Sequence, residues 1–324
     1  MSNSNITISV VMPAWNAQET IERAIRSALD QKGVEVEILV LDDCSTDNTS
    51  SIVSSIEDSR VKYRRMKTNG GPAAARNEGI RLASGEFIAV LDSDDYFLPD
   101  RLERLGNIIC SHNADVAVDN LVLLRHGSGE MELFFQDQQF DGGRVIELDQ
   151  YLRENTLFDN KRTLGYLKPV FKTKFLRERN LLYNENVKVI EDFVLVAECL
   201  ARGAHLLRCW DAGYVYTVDR SGSFSNRLNA SWVATMISAD DTFMRTYVAD
   251  MTPAQIAAAR FRRRNLDRVF TFLSSLEAVK LREFRSAIAM LLKSPSSIGY
   301  FKMPMRARLK PISAKLKQLL SVSR

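Results

Sequence analysis

Short apolar runs rich in β-branched residues alternate with segments whose apolar residues recur at helical spacing. The runs ITISVVM (6–12) and VEILVL (36–41) are typical of buried strands, and residues 18–31 between them have the pattern of an amphipathic helix. Further strands are predicted at 60–66 and 86–91, each preceded by a helix. Strands joined through helices by short polar loops predict an α/β fold, a Rossmann-like, mostly parallel sheet covered by helices on both faces.

The alternation weakens after about residue 115. The run DVAVDNLVLL (115–124) predicts another strand, and helices are predicted near 171–180 and 192–202. From about residue 228 the pattern is mostly helical, with one long helix predicted from Pro253 to Leu292, which a break could divide. We therefore expect a helical C-terminal extension behind the sheet.

Length and cysteine usage limit the class of protein. A chain of 324 residues that is 45% hydrophobic can bury a substantial core. Its cysteines, Cys44, Cys110, Cys199 and Cys209, lack the spacing of zinc ligands or paired disulfides, which predicts free thiols in a reducing compartment. The N-terminus has no basic flank followed by an apolar run, and no apolar stretch reaches the roughly 18 residues of a spanning helix. These features predict a cytosolic protein.

Ligands of parallel sheets bind beyond the carboxyl ends of the strands, so the loops after residues 12, 41 and 91 are the places to search. In the first loop, Pro13 is expected to end the strand. Asn16 has two interpretations, a cap of the next helix or a ligand contact beside Trp15. This loop alone does not decide between them.

The second loop is rich in carboxylates and hydroxyls. A carboxylate at Asp42 or Asp43 can accept hydrogen bonds from a nucleobase or a ribose. Ser45, Thr46 or Asp47 can cap the following helix. We expect both functions in this loop, with ligand contact at the first two acids and capping further on.

The third loop is the most informative. Asp92, Ser93, Asp94 and Asp95 directly follow an apolar strand, and acids so close together repel one another unless a cation lies among them. Oxygen ligands suit Mg²⁺ or Mn²⁺, which can neutralise the charge on a departing diphosphate. The alternative is a solvated helix start ahead of Pro99. The position beside the other two loops favours the metal site.

A glycine turn leads from Asn69 into a helix of small residues that ends near Gly79. The small side chains permit close approach either of a ligand or of the sheet. Arg76 in this helix can contact a diphosphate or pair with a nearby acid.

Four segments taken together resemble family 2 glycosyltransferases of the GT-A fold: PAWN, VLDDCSTDNTS, NGGPAAARNEGIRLASGEFIAVLDSDD and VIEDFVL. The resemblance is specific over about residues 6–100 and thinner to about 225. It implies that Asp42 or Asp43 holds the base of a nucleotide sugar, usually uracil. It also implies that Asp94 is the direct metal ligand, with Asp92 acting from the second shell or through water. Asp95 then faces the acceptor or the second shell.

The resemblance further implies an inverting reaction with one catalytic base. Glu191 and Asp192 match the family's acidic pair, and Asp192 is the better match for the base that takes the acceptor proton. The alternative is that the pair only favours a helix N-terminus. Arg220 and Ser223 resemble a segment that closes over the diphosphate, although the usual histidine is absent. Cys44 stands where glycine is common, and no nucleophilic role is expected for it.

The resemblance to bacterial exopolysaccharide glycosyltransferases implies a UDP-hexose donor such as UDP-glucose and an oligosaccharide acceptor on a lipid carrier. The expected domains are a GT-A catalytic domain over 1–227, with a nucleotide-sugar half to about 115 and an acceptor half from 116, and an extension over 228–324. A nucleotidyltransferase is disfavoured because PAWNAQET is not a triphosphate loop. A catalytically silent nucleotide- or glycan-binding partner is disfavoured by the presence of Asp94 and Asp192.

The net charge of +4 hides a basic tail. Residues 280–324 hold eleven Lys or Arg and one acid, Glu283, so the rest of the chain carries about −6. Cations interleaved with apolar residues suit the anionic inner surface of a cell membrane. A solvated helix would have similar charge, and a nucleic-acid partner is not expected because no nucleic-acid module accompanies the tail.

Overall fold

The computed structural model describes residues 6–136, 144–158, 162–218 and 228–301. The strands of this part are β1 (Thr7–Ala14), β2 (Glu35–Asp42), β3 (Val61–Arg65), β4 (Phe87–Val90), β5 (Tyr96–Phe97), β6 (Val116–Arg125), β7 (Met131–Leu133), β8 (Arg144–Val145), β9 (Val170–Lys172) and β10 (Leu206–Val218). Its α-helices are α1 (Ile21–Leu29), α2 (Thr49–Ser54), α3 (Pro72–Leu82), α4 (Arg101–His112), α5 (Leu148–Glu154), α6 (Thr173–Glu178), α7 (Glu191–Ala201), α8 (Ala230–Tyr247), α9 (Pro253–Lys280) and α10 (Phe284–Lys293).

One sheet contains all of these strands, in the order β3-β2-β1-β4-β9-β6-β10-β5, with β7 beside β6 and β8 beside β10. The ladders of β1 with β2 and β4, of β2 with β3, and of β6 with β10 are parallel. This confirms the predicted α/β fold with a mostly parallel sheet. The two parallel groups are joined by β9, which is antiparallel to both β4 and β6.

The second half of the chain departs from the predicted elements. The helix predicted near 171–180 begins only at Thr173, because Val170–Lys172 pairs into the sheet as β9. The segment after residue 125 contains the short strand β7, and residues 137–143 lie outside the described part. In this half of the chain, pairing and burial within the sheet therefore determine secondary structure that the local sequence pattern does not predict.

The strand β1 does not stop before Pro13, contrary to the sequence prediction. It runs to Ala14, and Pro13 pairs in register with Leu41 of β2. Alternate residues of a strand direct their backbone groups to opposite neighbours, and Ala14 O accepts a bond of 2.8 Å from the Asp43 N–H on the β2 side. The missing N–H of Pro13 thus falls on the β4 side, where pairing has already ended at Val11 and Val90. The proline costs the sheet no hydrogen bond there.

Helix α3 packs unusually close to the sheet. A Cβ added at Gly79 would lie 2.3 Å from a methyl carbon of Val11. Ala73 and Ala75 are buried on the same helix. Gly79 therefore serves close packing against β1, as the second of the two interpretations expected.

The C-terminal region packs on the rest of the fold. The predicted long helix is two helices, α9 and α10, separated by a break at which Arg282 has a φ of 64°. The Asn265 side chain on α9 accepts a hydrogen bond from Leu157 N at 2.8 Å and donates one to Leu157 O at 3.0 Å. Among the described helices, none has both the length and the apolar character needed to cross a membrane. The domain boundary near 227 stays a prediction, since residues 219–227 lie outside the described part.

Candidate active site

The loops after β1 and β2 are fastened to each other at the carboxyl edge of the sheet. Asn16, with a φ of 48°, accepts a hydrogen bond from Thr46 N at 2.8 Å, and its own N–H donates to Ser45 Oγ at 2.9 Å. Asn16 therefore joins two loops and does not cap α1, whose N-cap residue is Thr20. Trp15 beside it is exposed, while Pro13 is buried within β1.

The carboxylate of Asp42 is held inside the protein. Its Oδ1 accepts a hydrogen bond from Ser45 N at 2.8 Å, and its Oδ2 accepts one from the Tyr63 hydroxyl at 2.5 Å. The residue is fully buried. Asp42 thus fixes the start of the second loop.

Asp43 holds the glycine turn in front of α3. Its two carboxylate oxygens accept the N–H groups of Gly70 and Gly71 at 2.8 and 2.7 Å, and its backbone oxygen accepts the Asn69 amide at 2.9 Å. Gly71 has a φ of 83°, which favours glycine at this position. The exposed turn of Asn69 and Gly70 consequently lies beside the loops that follow β1 and β2.

The capping role expected in the second loop falls largely to Asp47. Its Oδ1 accepts from the N–H of Thr49 at 3.0 Å and from the Thr49 hydroxyl at 2.5 Å. Thr49 is the first residue of α2. Because the N-cap position itself is Asn48, without a side-chain bond, Asp47 stabilises the helix start from one residue further upstream.

Asp95 in the third loop is buried, and its carboxylate connects the end of β4 to β10 through hydrogen bonds. Its Oδ2 accepts from the Tyr214 hydroxyl at 2.8 Å, and its Oδ1 accepts from Thr217 N at 2.8 Å. Burial, reinforced by the neighbouring charges of Asp94 and Asp92, raises the pKa of Asp95 well above its ordinary value. Asp95 therefore holds the third loop in place.

Asp94 and Ser93 are half-buried in this loop. The backbone oxygen of Asp94 accepts hydrogen bonds from Arg23 Nη2 at 2.6 Å and from Thr217 Oγ1 at 2.8 Å. Helix α1 and strand β10 thereby fix the position of the Asp94 backbone at the carboxyl end of β4.

Five charged side chains converge behind the third loop, and we refer to them as the charge cluster. The cluster consists of Arg76, Lys168, Asp92, Glu191 and Asp192. Arg76 donates to Asp92 Oδ1 at 2.6 Å and to Glu191 Oε1 at 2.7 Å, and Lys168 Nζ lies 2.9 Å from Asp92 Oδ2 and 2.7 Å from Asp192 Oδ2. The cluster thus contains two cations and three carboxylates, all of them mostly buried.

Helix α7 brings the acidic pair into the cluster. Ile190, the residue before this helix, has a φ of 60°, a strained conformation for a β-branched side chain. Glu191 and Asp192 then occupy the first turn of α7, where the helix dipole also favours them. Glu191 and Asp192 therefore lie at a helix N-terminus, as the alternative interpretation of the sequence expected. They also belong to the charge cluster.

Asp92, Asp192 and Lys168 of the cluster are charged at neutral pH. Burial raises the pKa of Asp92 and of Asp192, but the charges of Arg76 and Lys168 outweigh it and hold both values below the ordinary range. Burial lowers the pKa of Lys168, and the Asp192 and Asp92 charges reverse this and raise it well above normal.

One oxygen of this cluster is left without a hydrogen bond. Asp192 Oδ1 is buried, makes no hydrogen bond, and lies 3.5 Å from Arg76 Nη1. A carboxylate oxygen can accept a hydrogen bond from a hydroxyl group, and Asp192 Oδ1 retains that capacity.

The sequence analysis did not identify Lys168. It left open whether Arg76 contacts a diphosphate or pairs with an acid. The structure directs Arg76 to carboxylates. A lone lysine in the otherwise apolar run GYLKPVF is the signal that could have found Lys168, because a buried lysine needs an acidic partner. Arg220 and Ser223 lie outside the described residues.

The fit of a divalent metal depends on the ligands that the chain provides. Within the described ranges, no three acidic, histidine or cysteine side chains form a protein-only metal site. Mg²⁺ in nucleotide sites is held by one or two carboxylates together with substrate phosphates and water, so a complete protein cage is not required. Asp94 provides such a carboxylate at the loop, and both oxygens of Asp92 are engaged by Arg76 and Lys168. The residues fit a metal shared with a diphosphate.

The sheet topology and the acids at its carboxyl edge define the class of GT-A glycosyltransferases. The family described as Glycosyl transferase family 2 matches residues 9–173, about half of the chain. The chain belongs to this family and is a glycosyltransferase.

Two relatives connect the chain with polysaccharide biosynthesis. The succinoglycan biosynthesis protein ExoO of Rhizobium meliloti is 36% identical over 308 residues, which cover 95% of this chain and 87% of that protein. The UDP-Glc:alpha-D-GlcNAc-diphosphoundecaprenol beta-1,3-glucosyltransferase WfgD of Escherichia coli is 38% identical over 121 residues, 37% of this chain and 48% of that protein.

Two solved structures share the fold. TarS of Staphylococcus aureus in complex with UDP-GlcNAc has a TM-score of 0.60 at 22% identity, covering 85% of this chain and 73% of that one. The mannosyltransferase PcManGT of Pyrobaculum calidifontis in complex with GDP-Man and Mn²⁺ has a TM-score of 0.59 at 16% identity, covering 95% and 82%.

Proposed function

We propose that this glycosyltransferase transfers a hexose, glucose in the first instance, from a UDP-sugar to a hydroxyl of a growing polysaccharide repeat unit, with inversion at the anomeric carbon. The observation that carries the proposal is the buried Asp192 Oδ1, which has no hydrogen bond and lies in a charge cluster next to the Asp-rich loop. UDP-GlcNAc is bound by the structural neighbour TarS, and UDP-Glc is the donor in the name of the relative WfgD.

Asp192 is the proposed general base. The acceptor oxygen forms a bond to the anomeric carbon while the bond from that carbon to the diphosphate breaks, and the acceptor proton moves to Asp192 Oδ1. A single base with direct displacement inverts the configuration. Lys168 and Arg76 keep Asp192 ionised and fixed, and Glu191 holds Arg76 from the other side.

Asp94 is the proposed metal ligand, with Asp92 acting through water because its oxygens already bind two cations. Mg²⁺ or Mn²⁺, when bound, neutralises the negative charge that develops on the departing UDP. Ser93 lies in the same loop, so we include it among the donor contacts.

The proposed nucleoside site is the edge formed by the first two loops and the glycine turn. Trp15 offers an exposed ring for stacking, and Asn16 and Asn69 are exposed polar residues of the same edge. Asp42 and Asp43 shape this edge through the hydrogen bonds described above. Of the two acids, Asp43 lies nearer to the surface, together with the glycine turn that it holds. Arg220 and Ser223 remain the proposed diphosphate contacts.

We further propose a lipid-linked acceptor at the cytoplasmic face of the cell membrane. The name of WfgD gives a diphosphoundecaprenol-linked sugar as its acceptor. The basic tail over residues 280–324 has the charge that an anionic membrane surface attracts.

Calorimetric titration with UDP tests the donor site. We expect UDP to bind in Mn²⁺ or Mg²⁺ and to lose most of its affinity in chelator. Asp94→Asn is expected to lose the metal-dependent part, whereas the matched control Asp211→Asn, an exposed acid, binds UDP normally. Unchanged metal dependence in Asp94→Asn would remove Asp94 as the ligand, and no nucleotide binding at all would refute the donor site.

Release of UDP from UDP-glucose tests the base separately. Asp192→Asn is expected to keep UDP affinity and to lose at least about 100-fold in turnover, the usual size of a general-base contribution. An Asp192→Asn variant with full turnover would show that another residue takes the proton.

A further inference from the structure

Helix α10 carries an apolar face that the described part of the chain leaves uncovered. Phe284, Ile288 and Leu292 recur every four residues, so they lie within an arc of about 80° on the helix, and Leu281 stands just before its start. These four side chains are between 58% and 73% exposed. We call them the apolar stripe.

The side of α10 next to the apolar stripe attaches the helix to the protein. Ala287 is buried, and Met290 and Leu291 are partly buried, at the spacing of an inward face. The helix thus packs on α9 along this side, while Phe284, Ile288 and Leu292 stay exposed. Single exposed apolar residues are common, but a row of three on one helix face, with a fourth exposed at Leu281 just before it, is typical of an interaction surface.

Cations flank the apolar stripe in the sequence, and Arg285 borders it on the helix. Lys280, Arg282, Arg285 and Lys293 are all exposed, and Glu283 is the one acid among residues 280–293. The sequence after the described part, residues 302–324, adds seven Lys or Arg and no acid. A large apolar face with a basic margin has the chemistry of a helix that lies in the interface of an anionic bilayer.

We propose that the apolar stripe of α10 docks on an anionic lipid surface, with Phe284, Ile288 and Leu292 entering the interface between head groups and acyl chains while the flanking cations contact lipid phosphates. The proposal deepens the membrane location proposed above and rests on it. It assigns the attachment to a folded helix of the protein in addition to the charge of the tail.

Sedimentation of the full-length protein with vesicles tests this surface. The vesicles contain phosphatidylcholine alone or phosphatidylcholine with about a third phosphatidylglycerol. On the anionic vesicles, each cation near the surface contributes on the order of 1 kcal/mol to binding. The test variant is Phe284→Gln, Ile288→Gln, Leu292→Gln. Its matched control is Leu82→Gln, Val248→Gln, which removes exposed apolar side chains far from α10 in the sequence.

We expect the full chain and the control to bind anionic vesicles, and the stripe variant to bind at least tenfold more weakly. Circular dichroism and UDP binding are expected to be unchanged in both variants. The stripe interaction is also expected to survive salt better than the charge contribution, because burial of apolar side chains is not screened.

Three results would overturn the proposal. Equal vesicle binding by the stripe variant and the control would place the attachment elsewhere and leave the membrane location standing. A dimer that becomes a monomer in the stripe variant, with vesicle binding unchanged, would identify a second copy as the occupant. No vesicle binding by the full chain would refute the membrane location itself, while UDP binding would still test the transferase independently.

Discussion

Lys168→Met is predicted to destabilise the protein strongly. Lys168 bridges Asp92 and Asp192 at 2.9 and 2.7 Å, and its side chain is only 7% exposed. Methionine fills a similar volume without a charge, so Arg76 becomes the one cation facing three carboxylates. Removal of one partner from a buried ion pair costs about 3–5 kcal/mol, because the remaining charge stays desolvated. We expect a loss of this size.

Urea unfolding at pH 7.5, followed by circular dichroism, measures this loss. The matched control is Lys62→Met, since Lys62 also pairs with a carboxylate, Glu37, at 2.6 Å but is 58% exposed. An exposed pair of this kind contributes less than about 1 kcal/mol. The two substitutions therefore separate burial of the pair from loss of a lysine.

A double-mutant cycle tests the cause. Asp192→Asn added to Lys168→Met removes one uncompensated charge, so the double variant is expected to regain about 1–3 kcal/mol relative to strict additivity. If Lys168→Met costs less than about 1 kcal/mol, or if the two changes are additive, Lys168 does not hold the acidic pair as described. Under the same reasoning Lys168→Arg, which keeps the charge, is expected to lose less stability than Lys168→Met.

Three further predictions concern stability. Burial raises the pKa of Glu37, but hydrogen bonds from a lysine and two serines bring it to about 2. Glu37→Gln is therefore expected to lower the free energy of unfolding by about 1–2 kcal/mol at pH 7. In acid unfolding, this loss is expected to become progressively smaller as pH falls from 4.5 towards 2. Burial raises the pKa of Glu198 to about 7, so the native protein loses stability as pH rises from 4.5 through 7. Glu198→Gln is therefore expected to be about 1–2 kcal/mol more stable at pH 8 and equal at pH 4 in urea titrations. Gly79→Ala, whose Cβ would meet Val11 at 2.3 Å, is expected to lose about 1–3 kcal/mol in thermal unfolding, more than Gly299→Ala, where an added Cβ meets nothing within 4 Å.

The first half of the fold was predictable because each of its signals is local. Apolar runs mark β1, β2 and β4, and parallel strands carry their carboxyl ends to one edge. The loops at Asn16, Asp43 and Asp94 therefore could be placed near one another before any contact was known. The roles of individual atoms could not, because Asp42 and Asp43 look alike in sequence and differ only in which groups surround them.

The second half depends on contacts that are distant in the chain. Lys168 meets acids 76 residues before it and 24 residues after it. The strand β9 precedes α6 with no turn signal between them, and its place between β4 and β6 is set by burial in the sheet. The break at Arg282 also lacks a glycine or proline. Local propensity does not encode these features, so the sequence predicted the elements of this half less well than those of the first half.

The balance of charge at the sheet edge supports the proposal that donor binding depends on a metal. Asp92, Glu191 and Asp192 are opposed by two buried cations, which leaves the cluster at −1, and Asp94 adds a further carboxylate at the loop. A diphosphate brought to this edge adds negative charge to a site that is already negative. Asp94 would hold a divalent cation here, and the positive charge of that cation would offset the repulsion. Affinity for UDP in chelator should therefore increase as ionic strength rises and screens the acids, whereas an edge dominated by its lysine and arginine would show the opposite dependence in the same titration.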